Sequence, residues 1–177
     1  MSYFDDIMEI ERLYTVFCHA TDRRDFELLR ALYTDDATED HADYQGGIDG
    51  YIEYAKTSLE QFVLASHSYT RPLIVIDGDT AESQVTSHIF LRWKGSPPHN
   101  SFTIIRVFDR FTRTKNGWRF QHRSLCSELM ENFPPSERAI GSVPQGLMSR
   151  SDPFYSEVPK LAAGVRSMFG LPEERED

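Results

Sequence analysis

The stretch HSYTRPLIVIDGDTAESQVTSHIFLRW (67–93) decides the fold. β-Branched and aromatic residues run on both sides of Asp77-Gly78-Asp79, a tight-turn triplet, so the stretch predicts two antiparallel strands joined as a hairpin. The connection GSPPHN (95–100) leads into a second unit of the same kind: SFTIIRVFDRFTRT (101–114), the turn KNG (115–117) and WRFQHRSLCSELM (118–130). Four long antiparallel strands therefore fill the second half of the chain.

Upstream, the period changes from two to 3.6. From Phe4 to about Thr21 the residues Ile7, Ile10, Tyr14, Phe17 and Cys18 recur at helical spacing, with Asp5, Asp6, Glu9 and Glu11 at the positive start of the helix. DFELLRALY (25–33) places Phe26, Leu29, Leu32 and Tyr33 on one side, a second short helix ended by TDD (34–36). ATEDHADYQGG (37–47) is polar and turn-rich, a short strand or hairpin, and Asp49 caps a third helix over YIEYAKTSLEQFV (51–63). Helices first and strands after give the α+β class, a curved sheet with helices on one face and a pocket at its wide end. The tail NFPPSERAIGSVPQG (132–146) predicts a loop, and Asp152-Pro153 starts a last helix that Pro159 interrupts. We expect a domain over 1–131 and a C-terminal extension over 132–177 that covers the pocket mouth or makes oligomer contacts.

The chain has 177 residues, enough for one domain with a sizeable core, and 40% hydrophobic residues with 12% aromatics argue against intrinsic disorder. A net charge of −9 argues against nucleic acid as partner, because phosphate binding needs a clustered basic surface. The acidic start MSYFDDIMEIERL (1–13) does not resemble a secretory leader, no apolar run is long enough to cross a membrane, and Cys18 and Cys126 show no framework spacing. A cytoplasmic protein with buried free thiols is the expectation.

His67 and His88 stand inside strand patterns, where geometry is fixed. In VTSHIFLRW (85–93), Thr86, His88 and Phe90 point one way and Val85, Ser87 and Ile89 the other, and the mixed polar and aromatic face of His88 is assigned to the pocket wall. An imidazole exchanges protons near neutral pH, and a carboxylate on its other nitrogen fixes the tautomer; Asp22 is a candidate for that carboxylate, and a satisfied structural histidine is the alternative. His41, His67, His88 and Asp22 are possible metal ligands, but no HxH, HExxH or CxxC places two on one face, and no metal or cofactor is expected. Nucleophile elbows and glycine-rich phosphate loops are absent from the sequence.

Three strings carry a resemblance: IERLYTVFCHATDRRDFELLRALYTDDAT (10–38), HSYTRPLIVIDGDTAES (67–83) and NGWRFQHRS (116–124). Together, over roughly residues 5–131, they resemble the nuclear transport factor two-like, or SnoaL-like, cone proteins with a cystatin-like fold. The nearest pattern is that of the scytalone dehydratase and hexachlorocyclohexane dehydrochlorinase branch, which works through an Asp-His dyad without cofactor. The resemblance implies that Asp22 and His67 form the dyad, with His67 as general base, and that His88 and Arg123 lie at matching pocket positions. His41 falls where scytalone dehydratase has a tyrosine. Phe17 departs from the lysine or tyrosine that dehydrochlorinase and bile-acid dehydratase carry, and Arg71 stands where asparagine is common.

The implied activity is a dehydratase-type elimination on a small apolar, ring-containing substrate. His88, His41 and Arg123 would stabilise the leaving group or enolate, and Tyr14, Phe17, Tyr69 and Trp93 are candidates for the apolar wall or for plain core. The resemblance also implies a homo-oligomer, trimer or dimer. An isomerase or cyclase using the same dyad, and a non-catalytic binding or assembly module, remain open, because this fold hosts many functions.

Overall fold

Ser2 opens the first helix with a capping box: its hydroxyl accepts from Asp5 N–H, and the Asp5 carboxylate accepts from Ser2 N–H at 2.8 Å. The computed structural model describes residues 2–41, 43–135 and 143–172. Helix α1 (Tyr3–Arg23) ends at Arg24, whose left-handed φ of 58° turns the chain sharply, and Asp25 caps α2 (Phe26–Ala31) by accepting from Leu28 N–H at 3.1 Å. The third helix is α3 (Ile48–Leu59).

Strands β1 (Tyr33–His41) and β2 (Tyr44–Gly47) form the expected hairpin. TDD does not end α2 from a loop; it lies within β1, because Leu32 C=O accepts from Phe120 N–H at 3.0 Å and draws the chain straight into the sheet. Asp49 is not the cap of α3 either. Gly47 occupies that position, and Asp49 in the first turn binds Arg30 at 2.6 Å. The helix also stops earlier than its apolar spacing suggests, since Gln61 C=O accepts from Lys94 N–H at 2.9 Å and Phe62 is already in a strand.

The first half of the 67–93 stretch is split. Pro72, which has no N–H to give, separates β3 (Phe62–Tyr69) from β4 (Leu73–Asp77), and both lie along the same edge of β5 (Thr80–Trp93). Strands β6 (Asn100–Thr114) and β7 (Gly117–Phe133) complete an open sheet of order β2-β1-β7-β6-β5-β3, with β4 on β5. All pairs are antiparallel except β1 with β7. This is an α+β fold with a curved, unclosed sheet.

The apolar stripe of α1 packs on the sheet, where Ile10, Leu13 and Phe17 meet Val85, Val107 and Phe111 in one buried cluster. A bulge in β7 changes which of its side chains face the helices. Phe111 pairs Phe120 but Arg110 pairs His122, so Gln121 is extra, and Phe120 and Arg123 both face inward although three residues apart.

Beyond the sheet, α4 (Pro153–Glu157) is capped by Asp152 and Pro159 interrupts it before α5 (Pro159–Ser167), as the sequence predicts. The boundary after residue 131 falls inside β7, and the middle of the expected loop, 136–142, lies outside the described residues.

Candidate functional site

Asp22 sits one residue from the end of α1, two residues before the left-handed Arg24. Its two carboxylate oxygens grip one residue of the sheet edge: Oδ2 accepts from the His67 backbone N–H at 2.9 Å, and Oδ1 lies 2.6 Å from His67 Nδ1. Both side chains are nearly buried, 12% and 13% exposed. A carboxylate can only accept, so Nδ1 carries the proton and the lone pair is on Nε2. No other hydrogen bond engages the His67 ring among the described residues.

His67 lines a cleft of about 440 Å³ between α1 and the β3–β4 edge. The helix contributes Glu11, Tyr14, Thr15 and Cys18 at the i, i+3, i+4, i+7 spacing of one face, and the strand edge contributes Tyr69 and Thr70. Arg71, held by Glu11 at 3.0 Å, stands at the rim. Asp22 is absent from this lining and bounds a separate cavity of about 350 Å³, so it approaches the imidazole from behind. Burial, reinforced by the charge of Asp22, pushes the Cys18 thiol up to about 12, which keeps it protonated and inert as a nucleophile.

Deeper in, a buried ion pair is packed among aromatic rings. Arg123 is fully buried, with Nε on Asp109 Oδ1 at 2.7 Å and the rings of Phe17 and Phe120 each 4.2 Å from its guanidinium carbon. Its Nη1 donates to the phenolic oxygen of Tyr69 at 3.4 Å, and Tyr14 O–H donates to the other oxygen of Asp109. Burial pushes the Asp109 carboxyl up, and Arg123 pulls against that rise. The Tyr14 and Tyr69 phenols are also raised, mainly by burial, so both remain neutral donors at physiological pH. The open space that His67 lines is the α1–β3 cleft, beside this aromatic and ionic packing.

The other expected positions divide. His88 is on the wrong face: Ser87 and Val85 are buried, so Thr86, His88 and Phe90 point outward, and His88 stacks on Phe102 with centroids 6.0 Å apart. The alternation was legible, but the face with the mixed residues is the outer one. Trp93 belongs to a separate apolar cluster, where its ring meets Phe62 at 4.6 Å and its N–H donates to Ser101. His41 packs on Tyr51 at 5.1 Å, its Nδ1 3.6 Å from Oε2 of the buried Glu39, and it does not line the cleft. Phe17 is buried core against Arg123.

Sequence reasoning passed over Asp109, Glu39 and Cys18 as site residues. The signal for Asp109 was present, an acid between Val107 and Phe111 on an inward strand face. Glu39 has the same signature after Ala37, and the register sets it beside Arg123. Among the described residues no group of His, Cys, Asp and Glu gathers to hold a metal, and no helix is long and apolar enough to cross a membrane.

Residues 2–124 match the model of the SnoaL-like domain. An uncharacterised protein of Mycobacterium tuberculosis (strain ATCC 25618 / H37Rv) is 33% identical over 133 residues, covering 71% of this chain and 88% of its own. Among solved structures, a protein assigned as a scytalone dehydratase from Novosphingobium aromaticivorans superposes with a TM-score of 0.67 at 19% identity, covering 77% of this chain and 97% of its own. The hexachlorocyclohexane dehydrochlorinase LinA-type3 of Novosphingobium barchaimii gives 0.69 at 12% identity, with 77% and 96% covered. At these identities the two structures share the fold with this chain.

Proposed function

This chain belongs to the SnoaL-like family, and from that premise we propose that it is a cofactor-independent lyase eliminating water, or a comparable leaving group, from a small ring-containing substrate. His67 Nε2 takes the proton from a carbon made acidic by a neighbouring carbonyl. The C–H electron pair becomes the new double bond, the C–O bond breaks, and the departing oxygen takes the proton back from the His67 imidazolium and leaves as water. Asp22 holds the ring in the productive tautomer and stabilises the imidazolium that forms, as the carboxylate of a catalytic triad does. General-base transfer of this kind is typically worth about 10²–10⁴ in rate.

Tyr69 is a second polar group of the cleft placed to assist. Arg123 donates to its oxygen from behind, leaving the phenolic hydrogen for an enolate or leaving oxygen. Arg123 therefore acts through Tyr69, and His41 and His88 have no part in the step. Cys18, Tyr14 and Thr15 supply the remaining helix wall. Two free cysteines suit a reducing compartment, and the reading includes a cytoplasmic location.

The observation that carries this reading is the two-oxygen grip of Asp22 on His67 with the far ring edge in a cleft. Hydroxy-ketones and hydroxysteroids, screened for new conjugated-enone absorbance, provide the assay. His67→Ala and Asp22→Asn should each lower kcat by about 10²–10⁴; variants as fast as wild type would sink the mechanism. A product of the same mass as its substrate would instead identify an isomerase or cyclase.

One observation favours a second reading, an assembly module. Leu129 and Phe133, on one face of β7, are 40% and 38% exposed, an apolar strip suited to a second copy of this chain. Sedimentation gives the oligomeric state. An oligomer without turnover on any substrate class would favour assembly alone.

A further inference from the structure

The extension beyond the family domain packs behind the dyad and away from the cleft. Asp25, three residues after Asp22, has a side chain only 3% exposed, and Arg166 Nη1 from α5 reaches both of its oxygens at 2.7 Å. Arg150 adds a contact at 3.1 Å, and Arg166 Nη2 binds Glu27 at 2.6 Å. Arg23, the residue after Asp22, meets Asp152 at 3.1 Å, while Asp152 also accepts from Leu147 and Phe154 N–H. Phe154 lies on the His19 ring at 4.4 Å, one helical turn before Asp22.

These ties bracket one corner. Arg24 is a non-glycine residue at φ 58°, a conformation held at the helix end by Asp25 N–H on Ala20 C=O at 2.8 Å and by the Arg24 side chain on Leu59 C=O at 2.8 Å, and to these the C-terminal ties add the flanking residues Arg23 and Asp25. Packing behind Asp22 does not hold the corner, since the cavity of about 350 Å³ shared with residues 143–146 lies there. A dyad needs its groups held to within about 0.5 Å. Buried ion pairs contribute little net stability for their cost in desolvation, and their best-attested use is to specify one geometry.

We infer that residues 147–171 form a clamp that positions Asp22 against His67, with Asp152 and Arg166 as its positioning residues; the inference rests on the dyad reading above. The clamp fixes the α1–α2 corner, and the corner fixes the carboxylate.

The test uses full-length protein and two readouts. In proton NMR, the Nδ1–H of His67 bonded to Asp22 gives a low-field resonance, assigned by its loss in Asp22→Asn. Asp152→Asn and Arg166→Met should shift or broaden that resonance while the amide pattern of β5 and β6 stays native. Arg166→Lys, which keeps the charge, should restore it in part. With an active substrate, the same variants should lower kcat about tenfold to a hundredfold while KM stays within about twofold. A folded Arg166→Met or Asp152→Asn with unchanged resonance overturns the clamp. If Arg166→Met does not fold, Asp152→Asn alone decides. A protein with no elimination activity defeats the lyase reading, but the resonance still answers for the clamp.

Discussion

Two pairs of a carboxylate with a nitrogen-bearing side chain lie near each other in this molecule, with nearly the same contact distance and different work. Asp22 meets His67 at 2.6 Å and Asp109 meets Arg123 at 2.7 Å. Asp109 and Arg123 are sealed, at 0% and 1% side-chain exposure, with Tyr14 donating to the carboxylate and Tyr69 accepting from the guanidinium. Among the described residues His67 is bound on one ring nitrogen only, and it lines a cleft. Distance therefore does not separate structure from chemistry; the open valence does. A guanidinium cannot give up its proton in a protein, whereas an imidazole exchanges one near neutral pH.

The sharpest test separates the pairs by stability. Arg123→Met strands a buried carboxylate and should cost about 3–5 kcal/mol by urea denaturation. Asp22→Asn, which can keep one acceptor toward the His67 backbone, should cost only about 1 kcal/mol. Equal losses would erase the distinction. Next in size is the coupling: Asp109→Leu combined with Arg123→Met should be less destabilised than the sum of the single variants by about 1–3 kcal/mol, because no lone charge is left. Additive losses would show that the two side chains do not act as a unit.

How far the sequence foretold this contrast depends on the scale of the question. Hairpin turns and helical stripes are local, so IDGDTA and the Ile10–Phe17 stripe appear where expected, as does the break at Pro159. Element ends are set by partners distant in the chain, which is why Phe62 and Tyr33, within helical spacing in the sequence, lie in strands. Asp22 and His67 were legible as a pair through resemblance, while His88 was misplaced because alternation gives two faces and not which one is inside. Arg123 faces inward only through the bulge at Gln121, a register feature without a residue signature here.

Cys18 gives a smaller effect that reports on the dyad charge. Burial first, and Asp22 second, push its thiol up to about 12. At pH 8 iodoacetamide should therefore modify Cys18 on the order of 10³-fold more slowly than a free cysteine, following the thiolate fraction. Asp22→Asn removes the second cause and should speed the reaction a few-fold. Mass spectrometry of the Cys18 peptide over time reads both. A rate like that of free cysteine would mean the helix face is open to water, and an unchanged rate in Asp22→Asn would mean its charge does not reach the cleft wall.

A third pair, at the start of α1, bounds the comparison from the mild side. Asp6 takes two hydrogen bonds from Arg113 and one from Trp118 Nε1 at 3.0 Å, and these lower its carboxyl from 3.8 to about 2. A depressed folded value means the contribution is complete above 3.8 and disappears as pH falls through about 2, since the folded protein then binds the proton it had excluded. Arg113 is 24% exposed and also holds Asp79, so the pair is partly screened and its effect should be the smallest of the three pairs. Urea midpoints of wild type and Asp6→Asn, measured at pH 6 and again near the lower value, should differ at the first and converge at the second. An advantage for wild type that persists in acid would show that Asp6 acts through packing on Trp118 instead of charge.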